Sequence, residues 1–480
     1  MENRKVAFSG VFWKFGERFA AQGVSIVVSI VLARLLSPEE YGIIPLTTIF
    51  ISLCNAFVTS GFGSALIQKK DADDLDYSSC FYTSLGVSIL LYGVMFFAAP
   101  YIAAFYEVPV LTAVVRVLSL RLPLSAISTV QHAYVSKHYL FKKFFLSTLL
   151  GTVVSGVVGI YMAYHGFGVW ALVAQELIIN VMDKIVLFIT VKWRPKLCYS
   201  WEREKKLLSY GWKLLASALL NTGYNELRGL IIGKKYTTAD LAFYNKGKSF
   251  PEMIGVNVEG PINAVLFPLM SNAQNNVSVV KEMTRKSIRI GSYAMAPLLF
   301  GLAAVAPTLV PVLFTEKWNP CVVYMQILCF VNLFYPIHTA NLQAIKALGR
   351  SDLFLKLEIT KKVVGLVVLL ASIPFGVFWM VASMIVTTIA ACFINAYPNR
   401  KLLGYSYTEQ FKDLFPGFAM AFVMGSLVYP LQYLPIHGIA ILAMQVVLGT
   451  IIYLIFSLVF KIDSFFYLWD ILKGFLPKKK

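Results

Sequence analysis

The apolar residues of this chain arrive in blocks of about 20, and that block length constrains the fold more than any other feature. A helix of roughly 20 residues is as long as the hydrocarbon core of a bilayer is thick. Composition agrees. Of 480 residues, 58% are hydrophobic and 14% charged, whereas soluble domains run near a quarter charged. Fourteen blocks are legible, at roughly 9–34, 42–67, 79–104, 110–136, 144–164, 168–190, 208–233, 250–271, 288–314, 320–345, 353–374, 377–397, 414–432 and 436–460. They are too long and too uniformly apolar for barrel strands, so each must satisfy its backbone as a helix. The expectation is an all-α polytopic membrane protein with about 14 transmembrane helices. The opening segment carries Lys14, Glu17 and Arg18 and no small-residue cleavage site, so it reads as a retained first helix.

Lysine and arginine set the orientation. With the N-terminus in the cytoplasm, that side collects Arg4, Lys5, Lys69, Lys70, Lys137, the run Lys192 to Lys206, Lys281 to Arg289, Arg400, Lys401, Lys412 and the tail lysines. The other side holds Arg34, Lys234, Lys235, Lys246, Lys248 and Lys317. Both termini are therefore expected in the cytoplasm, and the cluster Lys234–Lys248 is a local exception. The net charge of +18 needs no nucleic acid, because no basic patch is interleaved with base-stacking aromatics. It sits in short loops, where anionic membrane lipids attract it. The tail FLPKKK reads as a surface anchor of the same kind.

An internal repeat divides the chain. Residues 29–50 (SIVLARLLSPEEYGIIPLTTIF) and 229–250 (GLIIGKKYTTADLAFYNKGKSF) align at an offset of 200. Arg34 pairs with Lys234, Ser37 with Thr237, Glu40 with Asp240 and Gly42 with Ala242. Both copies fall on the same side, which makes the halves parallel repeats about an axis along the membrane normal. Three regions follow: a lobe over 1–200, a second over 201–400, and two further helices with a basic tail over 401–480.

Ionisable groups at membrane depth are costly and mark cavities or pairs. Lys14, Glu17 and Arg18 share one face of the first span, either lining a cavity or snorkelling to headgroups. Arg116 and Arg121 lie in the fourth span, where guanidinium suits a phosphate bidentately or an acid on a neighbouring helix. The seventh span holds Asn221, Asn225, Glu226 and Arg228. The eighth carries Glu252, Glu259 and Asn263 on one stripe, among Pro251, Gly255, Gly260 and Pro261. A bent or broken helix lining a cavity is expected there, with a carboxylate able to pair with Arg18, Arg116 or Arg228 or to carry a proton. In the tenth span His338 and Asn341 follow Pro336. In the eleventh, Glu358 and Lys361 are placed to pair. The six cysteines have no ligand-like spacing, and no GxSxG, HExxH or phosphate loop occurs. No metal or cofactor is expected, and no enzyme activity.

Two stretches carry a resemblance. The opening GVFWKFGERFAAQGVSIVVSIVLARLLSPEEYG has Trp13, then Arg34 before Leu35-Leu36-Ser37-Pro38-Glu39-Glu40-Tyr41-Gly42. The following TSGFGSALIQKK has Gly61, Gly63, Ala65, Leu66, Ile67 and Gln68. In these elements the chain resembles the multidrug/oligosaccharidyl-lipid/polysaccharide exporter superfamily, and within it the polysaccharide-transporter branch of O-antigen, colanic-acid and capsule flippases. The resemblance implies two six-helix lobes around a central cavity, plus two C-terminal helices. It implies a bacterial inner-membrane flippase that moves an undecaprenyl-diphosphate-linked oligosaccharide to the periplasmic leaflet by alternating access. It also implies cationic cavity residues for the diphosphate, for which Lys14, Arg18, Arg116, Arg121 and Arg228 are the candidates. Glu17, Glu226, Glu252, Glu259, Asn263, His338 and Asn341 are candidates for polar lining or coupling. Glycan polymerase and chain-length proteins are the implied partners. A cation-coupled small-molecule exporter, a membrane-embedded polymerase or ligase, and a non-transporting scaffold are the competing readings.

Overall fold

The computed structural model describes residues 20–59, 66, 72–138 and 140–475. The candidates Lys14, Glu17 and Arg18 lie outside the described residues. Every regular element among the described residues is helical. In chain order these are α1 (Ala20–Leu35), α2 (Pro38–Thr59), α3 (Asp74–Tyr106), α4 (Leu111–Leu118), α5 (Arg121–Lys137), α6 (Phe141–Tyr164), α7 (Val169–Thr190), α8 (Trp201–Lys235), α9 (Thr238–Asn272), α10 (Val277–Phe314), α11 (Cys321–Asn332), α12 (Tyr335–Ala347), α13 (Ser351–Ser372), α14 (Val377–Leu402), α15 (Tyr407–Val428), α16 (Gly438–Val459) and α17 (Asp463–Phe475). Ten helical stretches among the described residues are long and apolar enough to cross a membrane, α4–α5 and α11–α12 counting as one each. Their outer faces are what lipid requires. The best case is α16, with mean hydropathy 2.5 and only 22% of its apolar stretch buried; Val446 and Val459 stand exposed on it. Such apolar surface facing outward is stable only against acyl chains.

The chain forms two compact units, 1–242 and 243–480. In the first, α2 packs on α8 and α5, and α6 pairs with α7 along their length. Its core gathers Tyr77, Val130, Leu187 and Trp193 in one cluster and Val28, Leu32, Ala171 and Leu172 in another. In the second unit, α10 packs on α11, α12, α15 and α16, around Met270, Ile288, Ala340 and Tyr405.

Side-chain caps fix the helix starts. The Ser37 amide donates to Glu40 Oε2 at 2.8 Å and the Glu40 amide to Ser37 Oγ at 3.2 Å. Two hundred residues on, the Thr237 amide donates to Asp240 Oδ2 at 3.1 Å and the Asp240 amide to Thr237 Oγ1 at 3.1 Å. Each is a reciprocal box that satisfies two donors a helix start leaves open. The aligned residue pairs of the repeat thus perform the same local task. Asp73 with Asp76, and Ser406 with Glu409, do likewise for α3 and α15.

Three expectations are corrected. The fourth and tenth blocks are each two helices, interrupted at 119–120 and 333–334. Pro123 and Pro336 stand just inside the second helix of each pair, where the ring opposes the carbonyl four residues earlier. Arg121 therefore opens a helix, while still lying near the middle of the crossing that α4 and α5 form together. The eighth block is the reverse case: α9 runs without interruption through Pro251, Pro261 and Pro268. It also begins at Thr238, so Lys246 and Lys248 are helical residues. Lys246 is buried, with its ammonium over the Phe314 and Trp318 rings at 4.4 and 5.3 Å.

Candidate functional site

In unit 1, three helices turn polar stripes toward one another. On α2 these residues are Thr47, Thr48, Ser52, Asn55 and Thr59; on α5 they are Arg121, Ser125, Ser128, Thr129, His132 and Ser136; on α7, Glu176, Asn180, Asp183 and Lys184. The spacings are helical, three, four or seven apart, so each set lies along one face. Two cavities result, of about 570 and 270 Å³, and Ser125 lines both. The larger runs between α5 and α7 beside Thr148 of α6. The smaller opens between α2, Arg121 and Glu176.

The charges within this lining are compensated. Arg121 Nη1 meets Glu176 Oε2 at 2.8 Å. Asp183 Oδ2 lies 3.3 Å from His132 Nε2 and 3.2 Å from Lys184 Nζ. Lys184 and Asp183 are mostly covered, whereas Arg121, Glu176 and His132 keep roughly a third to a half of their side chains open. Hydroxyls supply the rest: Thr129 Oγ1 donates to the Ser125 carbonyl at 2.8 Å and Ser128 Oγ to the same carbonyl at 3.1 Å. A lining of hydroxyls, two amides and paired charges can exchange hydrogen bonds with a hydroxylated solute without stranding an uncompensated charge in apolar surroundings. His132, Asp183, Lys184, Glu176 and Asn180 were not among the residues singled out from sequence. The signal was there: the sixth apolar block holds three ionisable groups on one helical face.

The other candidates are placed as follows. Arg116 is half-buried; its Nε donates to the Phe96 carbonyl at 3.2 Å and its guanidinium lies 4.3 Å from the Phe96 ring centre. Glu226 and Arg228 are half-buried on α8. In unit 2, Glu252 is exposed and paired with Lys248 at 3.2 Å, whereas Glu259, seven residues on, is 3% exposed. The stripe expected for Glu252, Glu259 and Asn263 is thus split between surface and core. Glu259 sits against Gly291, and its Oε1 has no hydrogen-bond partner. Asn263 Oδ1 is 3.5 Å from Gln343 Nε2.

His338 and Asn341 belong to two separate groups. His338 lines a cavity of about 340 Å³ with Thr339, Gln343, Lys346, Lys361 and Asn395. Its Nδ1 lies 3.2 Å from the Asn395 side-chain amide and its Nε2 3.8 Å from Cys392 Sγ. Asn341 is fully buried. It donates to Gln410 Oε1 at 2.9 Å and accepts from Asn399 at 2.6 Å, tying α12, α14 and α15 together. The expected pair of Glu358 and Lys361 forms.

A family model described as "Polysaccharide biosynthesis protein" matches residues 31–323. Similar curated proteins include the succinoglycan biosynthesis transport protein ExoT of Rhizobium meliloti, 23% identical over 66% of this chain and 64% of its own length. The match thus spans just under two thirds of that relative. Teichuronic acid biosynthesis protein TuaB of Bacillus subtilis is 23% identical over 73% of each chain. Lipopolysaccharide biosynthesis protein WzxC of Escherichia coli is 22% identical over 75% of this chain and 74% of its own. Among solved structures, the lipid II flippase MurJ superposes with TM-score 0.77 at 12% identity, covering 94% of this chain and 98% of that one. An inward-facing MATE transporter of the MOP superfamily gives 0.66 at 16%, covering 80% and 95%. These likenesses show a fold shared with both structures. The family match covers more than half of the sequence, so the chain belongs to the polysaccharide biosynthesis protein family.

Proposed function

We propose that this protein is a flippase that carries a lipid-linked oligosaccharide repeat unit, on an undecaprenyl diphosphate carrier, from the cytoplasmic to the periplasmic leaflet by alternating access. The observation that carries the reading is the hydroxyl-rich, charge-compensated cavity inside unit 1, embedded in an otherwise apolar helical body. A sugar moving through a bilayer must replace water hydrogen bonds with protein ones, and α2, α5 and α7 supply them. The family and the glycan named for ExoT, TuaB and WzxC support the substrate class. No residue has to break a bond in this cycle, so the protein acts as a transporter and not as an enzyme.

Fourteen spans fit this reading. The ten apolar crossings, with α1, α7, α8 and α13, make that number; the last three are long enough to span and carry the charged residues that a cavity needs. The repeat supports lobes over 1–200 and 201–400 with an added 401–480 region, and the lysine and arginine bias supports cytoplasmic termini in a bacterial inner membrane. Lys14, Arg18, Arg116, Arg121 and Arg228 are assigned to the diphosphate path. Glu259 is assigned to coupling, since a buried carboxylate with one unbonded oxygen gains most from carrying a proton or cation.

The test is accumulation of lipid-linked repeat units in cells lacking the gene, with each leaflet read by an impermeant glycan-labelling reagent. Units should accumulate out of the reagent's reach, and the wild-type gene should relieve this. Units that reach the periplasmic leaflet but stay unpolymerised would instead favour a polymerase or scaffold.

A further inference from the structure

In unit 2, a polar cavity of about 230 Å³ lies between α10, α15 and the turn into α17. Its lining includes none of the residues assigned to transport. Asp413 is nearly fully covered and its acceptor sites are spent. It receives Arg285 Nε at 2.9 Å and Nη2 at 3.1 Å, Arg289 Nε at 2.7 Å and the Tyr405 hydroxyl at 2.8 Å. Two guanidiniums on one carboxylate leave a surplus positive charge. Lys412 and Lys461 line the same cavity, and Asp463 is its other acid. The site is therefore net cationic, with Arg289 keeping 39% of its side chain open.

The neighbouring helix says what kind of anion meets it. α17 rests against α10 with Ser464 buried, while Phe466, Tyr467 and Trp469 are exposed. Phe465 stacks on Trp469 with ring centres 6.1 Å apart, and Lys473 caps the row over the Trp469 ring at 5.6 Å. With 13 residues it is too short to cross a bilayer. An aromatic face flanked by lysine belongs in the headgroup layer. Lys461, at φ 48°, makes the left-handed turn that redirects the chain from the spanning α16 into this helix, so the cavity lies at the headgroup level of whichever leaflet α17 lies on.

We infer that this cavity binds the phosphodiester headgroup of an anionic phospholipid, with Arg289, Lys412 and Lys461 as its cationic contacts and α17 as its interfacial floor. Guanidinium and ammonium groups bind phosphate through charge-assisted hydrogen bonds, and basic segments at a membrane surface attract acidic lipid. The inference rests on the membrane-spanning reading and not on the transported substrate.

The full-length protein, purified in mild detergent, would be titrated with phosphatidylglycerol and examined by native mass spectrometry. Wild type should retain one phosphatidylglycerol that the double variant Lys412→Ala/Lys461→Asn loses, with occupancy down at least five-fold. Asparagine is used at 461 because it tolerates the left-handed turn. Arginine at both positions should restore retention, and Lys356→Ala/Lys401→Ala, an equal loss of charge elsewhere, should leave it intact. Phosphatidylcholine should not be retained, and millimolar inorganic phosphate should not displace the lipid. Equal retention by the double variant would overturn the site. So would failure of the arginine variant to rescue, and displacement by phosphate at lipid-like concentrations would assign the site to a free anion instead.

Discussion

Glu204 illustrates how a single carboxyl can limit stability. It lies on α8 before the span begins and is fully buried. Burial pushes its pKa up to about 7, opposed by the Thr83 hydroxyl and reinforced by the charge of Asp76. A carboxyl whose folded pKa exceeds its unfolded one favours folding less as it ionises. The contribution of Glu204 to stability is therefore highest at acid pH and falls as pH rises from about 4.5 through about 7. Glu204→Gln should remove this dependence and stabilise the protein at pH 8 by on the order of 1–3 kcal/mol, read as a higher unfolding temperature at pH 8 and little change at pH 5. The cavity of unit 1 provides a second residue-scale expectation. Arg121→Ala leaves Glu176 without its 2.8 Å partner, and transport should fall at least ten-fold. The double variant Arg121→Ala/Glu176→Gln should recover part of it, because an uncompensated charge costs more than a missing pair. The measurement is leaflet accumulation in cells, corrected for protein level.

At the scale of elements, the sequence revealed helices better than their ends. Block lengths located the apolar segments because bilayer thickness dictates them. Two helices, α9 and α10, begin about a dozen residues before their apolar blocks, since polar helical turns outside the membrane leave no hydropathy signal. Proline was ambiguous: it interrupts the chain ahead of α5 and α12 but not within α9, which continues through three of them. Arg121 and Glu259 were legible because charge inside an apolar block is conspicuous. Asp183 stood out by the same signal, but joining it to His132 required knowing that α5 and α7 face each other, which periodicity alone does not supply. The repeat was legible in residues whose role is local, the two capping boxes. Ser37→Ala and Thr237→Ala should each cost about 1 kcal/mol, measured by thermal unfolding. Gly42 is a stricter case. A Cβ there would fall 1.8 Å from the Thr238 carbonyl oxygen, so the start of α2 can approach the start of α9 only at a glycine. Gly42→Ala should destabilise unit 1 by about 1–3 kcal/mol, whereas Gly93→Ala, which meets nothing within 4 Å, should be near neutral or stabilising.

For the whole molecule, family membership and fold are established, and transport of a lipid-linked glycan is the claim that gives them meaning. Purified protein in vesicles offers the most direct measurement. A polyprenyl-diphosphate oligosaccharide with a fluorescent sugar would be incorporated in both leaflets, and an impermeant quencher added outside. Without protein, about half of the fluorescence should persist. With wild-type protein, the protected half should decay as labelled lipid crosses, and Arg121→Ala should slow that decay at least ten-fold. A protected half that stays constant with wild-type protein at full occupancy, or decays equally with a headgroup lacking sugar, would contradict the account.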